Sequence, residues 1–256
     1  MEAEAETMNT DETSAQRPLD GRRDDIIVTA ARLFAENGYA STTMTQIARA
    51  CGLRQSSLYY WFGQKEAILR ELLALNRITM DFIVTQIADT AESPAVRLLR
   101  LLVFDLNELC QAPVDISEID ALAERQPDGF REYWEDMSVL HRELTALIAE
   151  GIERGEFTAC DPELAALHIC AAEQGIQHRF RSSEAHRPGG ASPFQHPVLD
   201  RGEFVTEAAR WLVRSLLADV TSMPAIVAAA ERQADAGAPA TGDSAAPAVA
   251  VPSAGS

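Results

Sequence analysis

Gln55, Ser56 and Ser57 form a short row of hydrogen-bonding side chains just ahead of the densest aromatic cluster in the chain, Tyr59, Tyr60, Trp61 and Phe62. A glutamine amide can pair with adenine through N6 and N7, and a serine hydroxyl can donate to or accept from either kind of base pair. Tyrosine and threonine hydroxyls are common donors to phosphate oxygens. Beyond the cluster comes Lys65, the single lysine among 22 basic residues. No comparable grouping points to bond-breaking chemistry. The histidines (His141, His168, His178, His186 and His196) show no metal-ligand spacing, and His168 and Cys170 fall on different faces of a helix. Nucleophile-elbow, phosphate-loop and dinucleotide-binding glycine patterns are missing from the sequence. The residues therefore predict a protein that is not an enzyme and uses no cofactor.

Charge divides the chain unevenly. Its formal net charge is -17, but residues 21–65 carry six bases and three acids, a net +3. Residues 1–20 carry -5, and residues 66–256 carry the remaining -15. A polyanion would be drawn to the small basic segment and repelled by the acidic body. No apolar run approaches the roughly 20 residues of a membrane helix. The acidic start "MEAEAETMNTDETSAQ" has no apolar core, and four cysteines without paired spacing fit a reducing compartment. Together these predict a cytoplasmic protein with no membrane partner.

The elements around the candidate residues are helical. Ile26, Ile27, Ala30, Leu33 and Phe34 recur at helical spacing and stop at Gly38. Thr43 with Gln46 three residues later is a capping-box pattern that opens a second helix, and Gly52 closes it. A third short helix spans about Arg54 to Trp61. Two short helices joined by a tight glycine turn suggest a helix-turn-helix, whose second helix lies in the major groove of DNA. Ile47, Ala48, Leu53, Leu58 and Phe62 are the residues expected to pin it together. Longer helices are expected at about 65–89, 94–111, 116–125, 128–154, 161–182 and 201–220, with a Pro- and Gly-rich loop at 183–200. No run alternates with period two. The expected organisation is a disordered acidic tail at 1–20, a three-helix helix-turn-helix DNA-binding domain at 21–65, a helical regulatory and dimerisation domain at 66–222, and a disordered Ala/Pro-rich tail at 223–256. The fold class is all-α.

The stretch "TMTQIARACGLRQSSLYYWFGQKEAIL", with "AARLFAENGYASTT" upstream, resembles the DNA-binding core of the tetracycline-repressor (TetR/AcrR) family. The shared signature is a threonine-capped helix, a glycine turn, Leu-Tyr-x-aromatic-Phe, a two-residue spacer, then Lys and a leucine. It covers roughly residues 22–70. The resemblance implies a dimeric repressor on a double-stranded DNA operator, released by a small-molecule effector. It places Thr43 and Thr45 near phosphates, turns Gln55, Ser56 and Ser57 to the groove, and lays Tyr59 and Tyr60 on backbone or thymine methyls. Leu58 and Phe62 become core. Lys65, at the start of the fourth helix, would hold a phosphate with the helix's free N–H groups. Arg54 departs from the pattern, because the family often has Ser or Thr there and arginine cannot cap a helix. It is read as a DNA contact, with plain solvent exposure as the equal alternative.

The body is less legible. "RLLRLLVFDLNELC" is apolar nearly all round and so should be buried, which leaves Asp105, Asn107 and Glu108 in need of partners. Neighbouring helices and water are the favoured partners and a ligand is the other. Phe104, Asn107 and Trp134, with Met137 and His141 spaced from Trp134 along one stripe, are the candidate effector contacts; plain core is the alternative. Ala165 and Ala172 on one face, and Ala171 and Gly175 on another, permit close helix approach. With Trp211 in "FVTEAARWLVRSLL" they are the candidate dimer contacts, against an intramolecular helix pair. A helical enzyme or a protein-binding adaptor is the rival to the DNA-binding reading.

Overall fold

In the computed structural model, residues 13–75, 91–184 and 200–237 are described. Ten α-helices and two short 3-10 helices occur among them, and no strand; one isolated antiparallel bridge joins Phe157 and Leu217. Two compact units divide the chain, the first ending at Ala74 and the second beginning at Leu75.

The first unit holds α1 (Thr13–Asn37), α2 (Met44–Ala50), α3 (Gln55–Trp61) and α4 (Lys65–Leu75). Its core is built from the predicted stripe of α1 (Ile26, Ile27, Ala30, Phe34), from Ile47 and Ala48 of α2, and from Leu58 and Phe62. Ile68, Leu69 and Leu72 of α4 are buried too. Gly38 and Gly52, at φ 81° and 64°, take the left-handed turns that end α1 and α2. The unit thus closes at Ala74 rather than at Lys65, because the first turns of α4 carry apolar residues it must bury.

The second unit holds α5 (Pro94–Gln111), α6 (Ile116–Arg125), α7 (Arg131–Glu153), α8 (Pro162–Glu184), α9 (Arg201–Leu216) and α10 (Met223–Gly237). Caps set several starts: Ser93 accepts from Val96 N with Pro94 at the first helical position, Asp115 opens α6, and Asp200 opens α9. Helix α5 is the hub. Leu98, Leu99, Leu101, Leu102 and Leu106 are all buried, as its all-round apolar sequence predicts, and α7, α8, α9 and α10 pack on it. The loop after α7 is tied to the end of α9 by Thr158 N to Leu216 O (2.8 Å) and Ala218 N to Glu156 O (2.9 Å).

Two expected tails are corrected. Residues 13–20 belong to α1 rather than to a disordered tail. Once the buried stripe nucleates the helix, each further residue adds a hydrogen bond at little cost. Residues 223–237 form α10, which packs on α5. Met223 and Ile226 are buried, and Val227 and Ala230 lie against the same core. These four residues share one helical face, and alanine is the strongest helix former, so composition alone concealed an amphipathic helix. The rest of both tails (1–12 and 238–256), residues 76–89 of the long helix expected after Lys65, and 185–199 of the expected loop lie outside the described residues.

Candidate nucleic-acid interface and the helical body

Helices α2 and α3 meet through a tight turn in which Gly52 N bonds Arg49 O (3.1 Å) and Leu53 N bonds Ala48 O (2.8 Å). The predicted capping box is complete: Gln46 N donates to Thr43 Oγ1 at 3.3 Å, and Thr43 N donates to Gln46 Oε1 at 2.7 Å. Leu58 at 0% and Phe62 at 2% exposure anchor α3 inward. The opposite side of α3 faces out: Gln55 and Ser56 are exposed, Ser57 is half-buried, and Tyr60 is 84% exposed with its ring edge against Trp61. Tyr59 is also exposed. Thr43 and Thr45 are exposed at the start of α2. Arg54 stands at the N-cap of α3, exposed and with no capping hydrogen bond, which suits the DNA-contact reading and plain solvent exposure alike.

The basic residues sort into two groups. Arg23, over the Phe62 ring, pairs with Glu71 (2.5 Å), Arg32 pairs with Glu36 (2.8 Å), and Arg22 donates to Cys51 O (3.3 Å). Arg49 and Arg54 are exposed and engage no described side chain. Sequence reasoning left Arg49 out of the candidate interface. The signal was there, since Arg49 follows Thr45 by four residues and so shares its face of α2.

Lys65 differs most from its expected role. It does stand at the first position of α4. Its Nζ, however, donates to Tyr39 O (2.5 Å), Thr42 O (2.7 Å) and Ala40 O (3.5 Å), and lies 4.2 Å from the centroid of the Tyr39 ring. An ammonium has three N–H donors, and two short carbonyl contacts and one long one lie within their reach. In this structure, which holds no DNA, the ammonium of the lone lysine lies against its own chain.

In the body, Phe104 packs half-buried against the core, and Asn107 of α5 and Trp134, Met137 and His141 of α7 are half-buried. The Trp134 ring meets Tyr133 edge-on at 5.3 Å. No described cavity brings these five candidates together; the two open grooves that stand out lie at the start of α5 against α10 and along α9. Asp105 finds an unexpected partner, Glu173 of α8. Burial, and then the neighbouring carboxylate, push Glu173 well above the usual carboxylate range. Burial likewise raises Asp105 to about 6, against the hydrogen bond from Glu173. Glu173 is 4% exposed and its Oε1 has no partner. Gln177, fully buried, accepts from Ile116 N (2.9 Å) and donates to Leu109 O (2.7 Å). Glu173 and Gln177 were missed, yet they continue the stripe Ala166, Ile169 at helical spacing.

The two faces of α8 differ in burial. Ala165 is buried and Ala172 packs on the core, while Ala171 and Gly175 are exposed in line with Leu164 (50% exposed) and Leu167 (55%). Trp211 of α9 is 68% exposed.

A helix-turn-helix unit with an outward-facing second helix, attached to a larger all-helical body, defines a DNA-binding regulator. Family comparison agrees: residues 26–72 match the model of bacterial regulatory proteins of the tetR family, and residues 96–196 match the tetracyclin repressor-like C-terminal domain. The chain belongs to this family of transcriptional regulators. It is 32% identical over 145 residues to the HTH-type transcriptional repressor KstR2 of Mycobacterium tuberculosis, an alignment spanning 54% of this chain and 70% of that one. The solved structure of that ketosteroid transcriptional regulator superposes with a TM-score of 0.58 at 24% identity, covering 77% of this chain and 96% of that one. AibR, solved with isovaleryl coenzyme A and operator DNA, has the same fold at a TM-score of 0.51 and 21% identity, covering 77% of this chain and 98% of that one.

Proposed function

We propose that the protein represses transcription as a homodimer that reads a two-fold symmetric operator with α3 and lets go when a small molecule binds the body. The observation that carries the reading is the split personality of α3: Leu58 is fully buried while Gln55, Ser56, Tyr59 and Tyr60 face solvent together. Gln55, Ser56 and Ser57 are the base-reading residues. Thr43, Thr45, Tyr59 and Tyr60 are the neutral backbone contacts, and Arg49 and Arg54 supply the charge. The exposed apolar line Leu164, Leu167, Ala171 and Gly175, with Trp211, supports pairing of two copies through α8 and α9, since such a line gains by excluding water. Phe104, Asn107, Trp134, Met137 and His141 are the effector contacts on this reading, in the helical body that begins at Leu75 and includes α10, and the site of action is the cytoplasm.

Selection of bound sequences from random DNA tests the first half. A palindromic site is expected, and Gln55→Ala should lose about 1–3 kcal/mol on it and relax the preference at one position per half-site. Binding without sequence preference would overturn the reading. Sedimentation tests the second half: a wild-type protein that stays monomeric at micromolar concentration would remove the dimer. Effector control fails if molecules that raise the melting temperature leave operator affinity unchanged, because a ligand shifts only an equilibrium between states it binds unequally.

A further inference from the structure

We infer that the carboxyls of Asp105 in α5 and Glu173 in α8 form a binding site for an organic cation, an ammonium carried on an apolar body. The inference deepens the reading of the body as effector-binding, and it rests on that reading for the consequence at the operator.

The two acids have apolar neighbours on their own helices. On α5, Leu102 stands three residues before Asp105 and Leu109 four after it; on α8, Ile169 stands four before Glu173 and Ile176 three after it. Glu173 is shut off from water at 4% exposure, whereas Asp105 is half-buried, so the pair can be reached from solvent along Asp105. The two carboxyls share a hydrogen bond, yet Glu173 Oε1 has no partner. Gln177, one turn further along α8 and just as buried, is satisfied at every atom. Its Nε2 donates to Leu109 O (2.7 Å) and Val114 O (3.3 Å), and its Oε1 accepts from Ile116 N (2.9 Å). Both amide hydrogens are therefore spent, and Gln177 has none to give Glu173.

A buried oxygen without a donor costs stability, and the charges around this one add to the cost. The groups that act most strongly on the pair are each other and Glu108, a turn beyond Asp105 on α5, and all are acids. The Cys170 thiol, three residues before Glu173, feels the same field: burial, then Glu173 and Asp105, push it up to about 12. With nothing bound, the pair limits the cost by holding on to protons, because burial raises both carboxyls. A ligand that brings positive charge together with N–H donors fills the open acceptor and offsets the field at once, through charge-assisted hydrogen bonds that a neutral alcohol cannot match. The leucines and isoleucines on the flanking turns suit an apolar body behind that charge. A metal ion is a poorer fit, since no group of three or more metal-ligating side chains comes together among the described residues. The net -15 of residues 66–256 draws cations to the body and turns anions away.

The full-length protein is titrated calorimetrically with hexyl-, octyl- and decylammonium, with the matching alcohols and with the matching carboxylates, and amide exchange locates what binds. The ammonium ions should bind about tenfold more tightly than alcohols of equal length, the order of one hydrogen bond to a charged group. They should slow exchange around Asp105 and Glu173. Glu173→Gln, which keeps the shape and loses the charge, should remove that margin and leave the alcohols within about twofold of their wild-type affinity. Alcohols or carboxylates that bind as tightly as the ammonium ions overturn the inference, and so does a failure of all three ammonium ions to bind. An ammonium preference that survives Glu173→Gln overturns it too, since attraction to the acidic surface at large would behave in that way. If Glu173→Gln fails to fold, the exchange map of the wild-type protein decides, and protection away from α5 and α8 removes the site. Operator affinity separates this inference from effector control. Ammonium ions that bind at the pair and leave operator affinity unchanged keep the cation site and remove its role in release. Release by a carboxylate or an alcohol, with no ammonium ion binding, keeps effector control and removes the cation site.

Discussion

The two units bury polarity in opposite ways. Among the described residues of the first unit the one buried polar residue is Thr42, whose hydroxyl bonds carbonyls within nine residues of it. Among its described residues the body buries four: Arg97, Asp115, Glu173 and Gln177. Their partners are distant in sequence. Arg97 bonds Glu150 (2.7 Å), His178 bonds Asp115 (2.9 Å), and Gln177 bonds Leu109 and Ile116. The first unit is therefore a set of local devices (caps, glycine turns, an aromatic anchor) that fix a few exposed side chains. The body is a tertiary network whose polar groups depend on which helix faces which. A surface that reads DNA needs the first kind of construction, and a body that changes state on binding a ligand is better served by the second.

Removing an anchor on each side breaks the comparison most directly. Phe62→Ala empties a buried ring position under Arg23 and should cost about 3–5 kcal/mol. DNA binding should vanish while the helices of the body persist, and hydrogen exchange mapped by unit would show it. If both units lose protection together, the local character assigned to the first is wrong. On the other side, Gly151 lies under Phe157, so that a Cβ there would fall 2.1 Å from the ring. Gly151→Ala should cost about 1–3 kcal/mol by overpacking. The loss should be confined to the body and seen as a lower melting transition with the α2–α3 amides unaffected.

Those two positions also show what the sequence makes legible. Phe62 is recognisable from its place in the aromatic run after a glycine turn, and so are the caps at Thr43 and Gly52, because each is decided within a few residues. Gly151 is not, since only its approach to Phe157 makes a glycine necessary. Helix α10 was hidden by its Ala-rich composition, which resembles a tail until Met223 and Ile226 meet α5. The position of Lys65 at the start of α4 was legible from its spacing, but its contacts within the chain were not. Spacing gives a charge at a helix start, and only the folded turn brings three carbonyls to it. Asp105 was flagged as needing a partner, and that the partner is another acid follows from how α5 and α8 pack.

The acid pair gives the body a pH dependence that the first unit has no reason to share. Asp105 is raised in the folded state, from its ordinary 3.8 to about 6, and burial beside Asp105 holds Glu173 well above the usual carboxylate range. A carboxyl raised on folding contributes stability that is complete below its unfolded value and is lost as pH climbs through the folded one. Melting of the body should therefore fall as pH rises from about 4 through about 6 and beyond. Asp105→Asn should flatten that slope and raise the transition at neutral pH, by about 2–4 °C for each kcal/mol regained. A variant with the wild-type slope would mean that the pair is not what titrates.

The smallest effect belongs to the first unit and is the sharpest test of its local design. Thr43→Ala removes the oxygen that Gln46 N donates to, and should cost about 1 kcal/mol of stability. Thr43→Ser keeps that oxygen and should cost little. If the cap also presents Thr43 to DNA, the alanine variant should bind all sequences more weakly and in similar proportion, with the operator's base preferences intact. Gln55→Ala, one helix later, should do the reverse and change preference at single positions. The salt dependence should stay at its wild-type slope in both, because neither residue is charged and counterion release counts only the cations laid against phosphates. Base preferences that shift in Thr43→Ala would mean that the cap is not a separate local device and that α2 and α3 move as one body when either end is loosened.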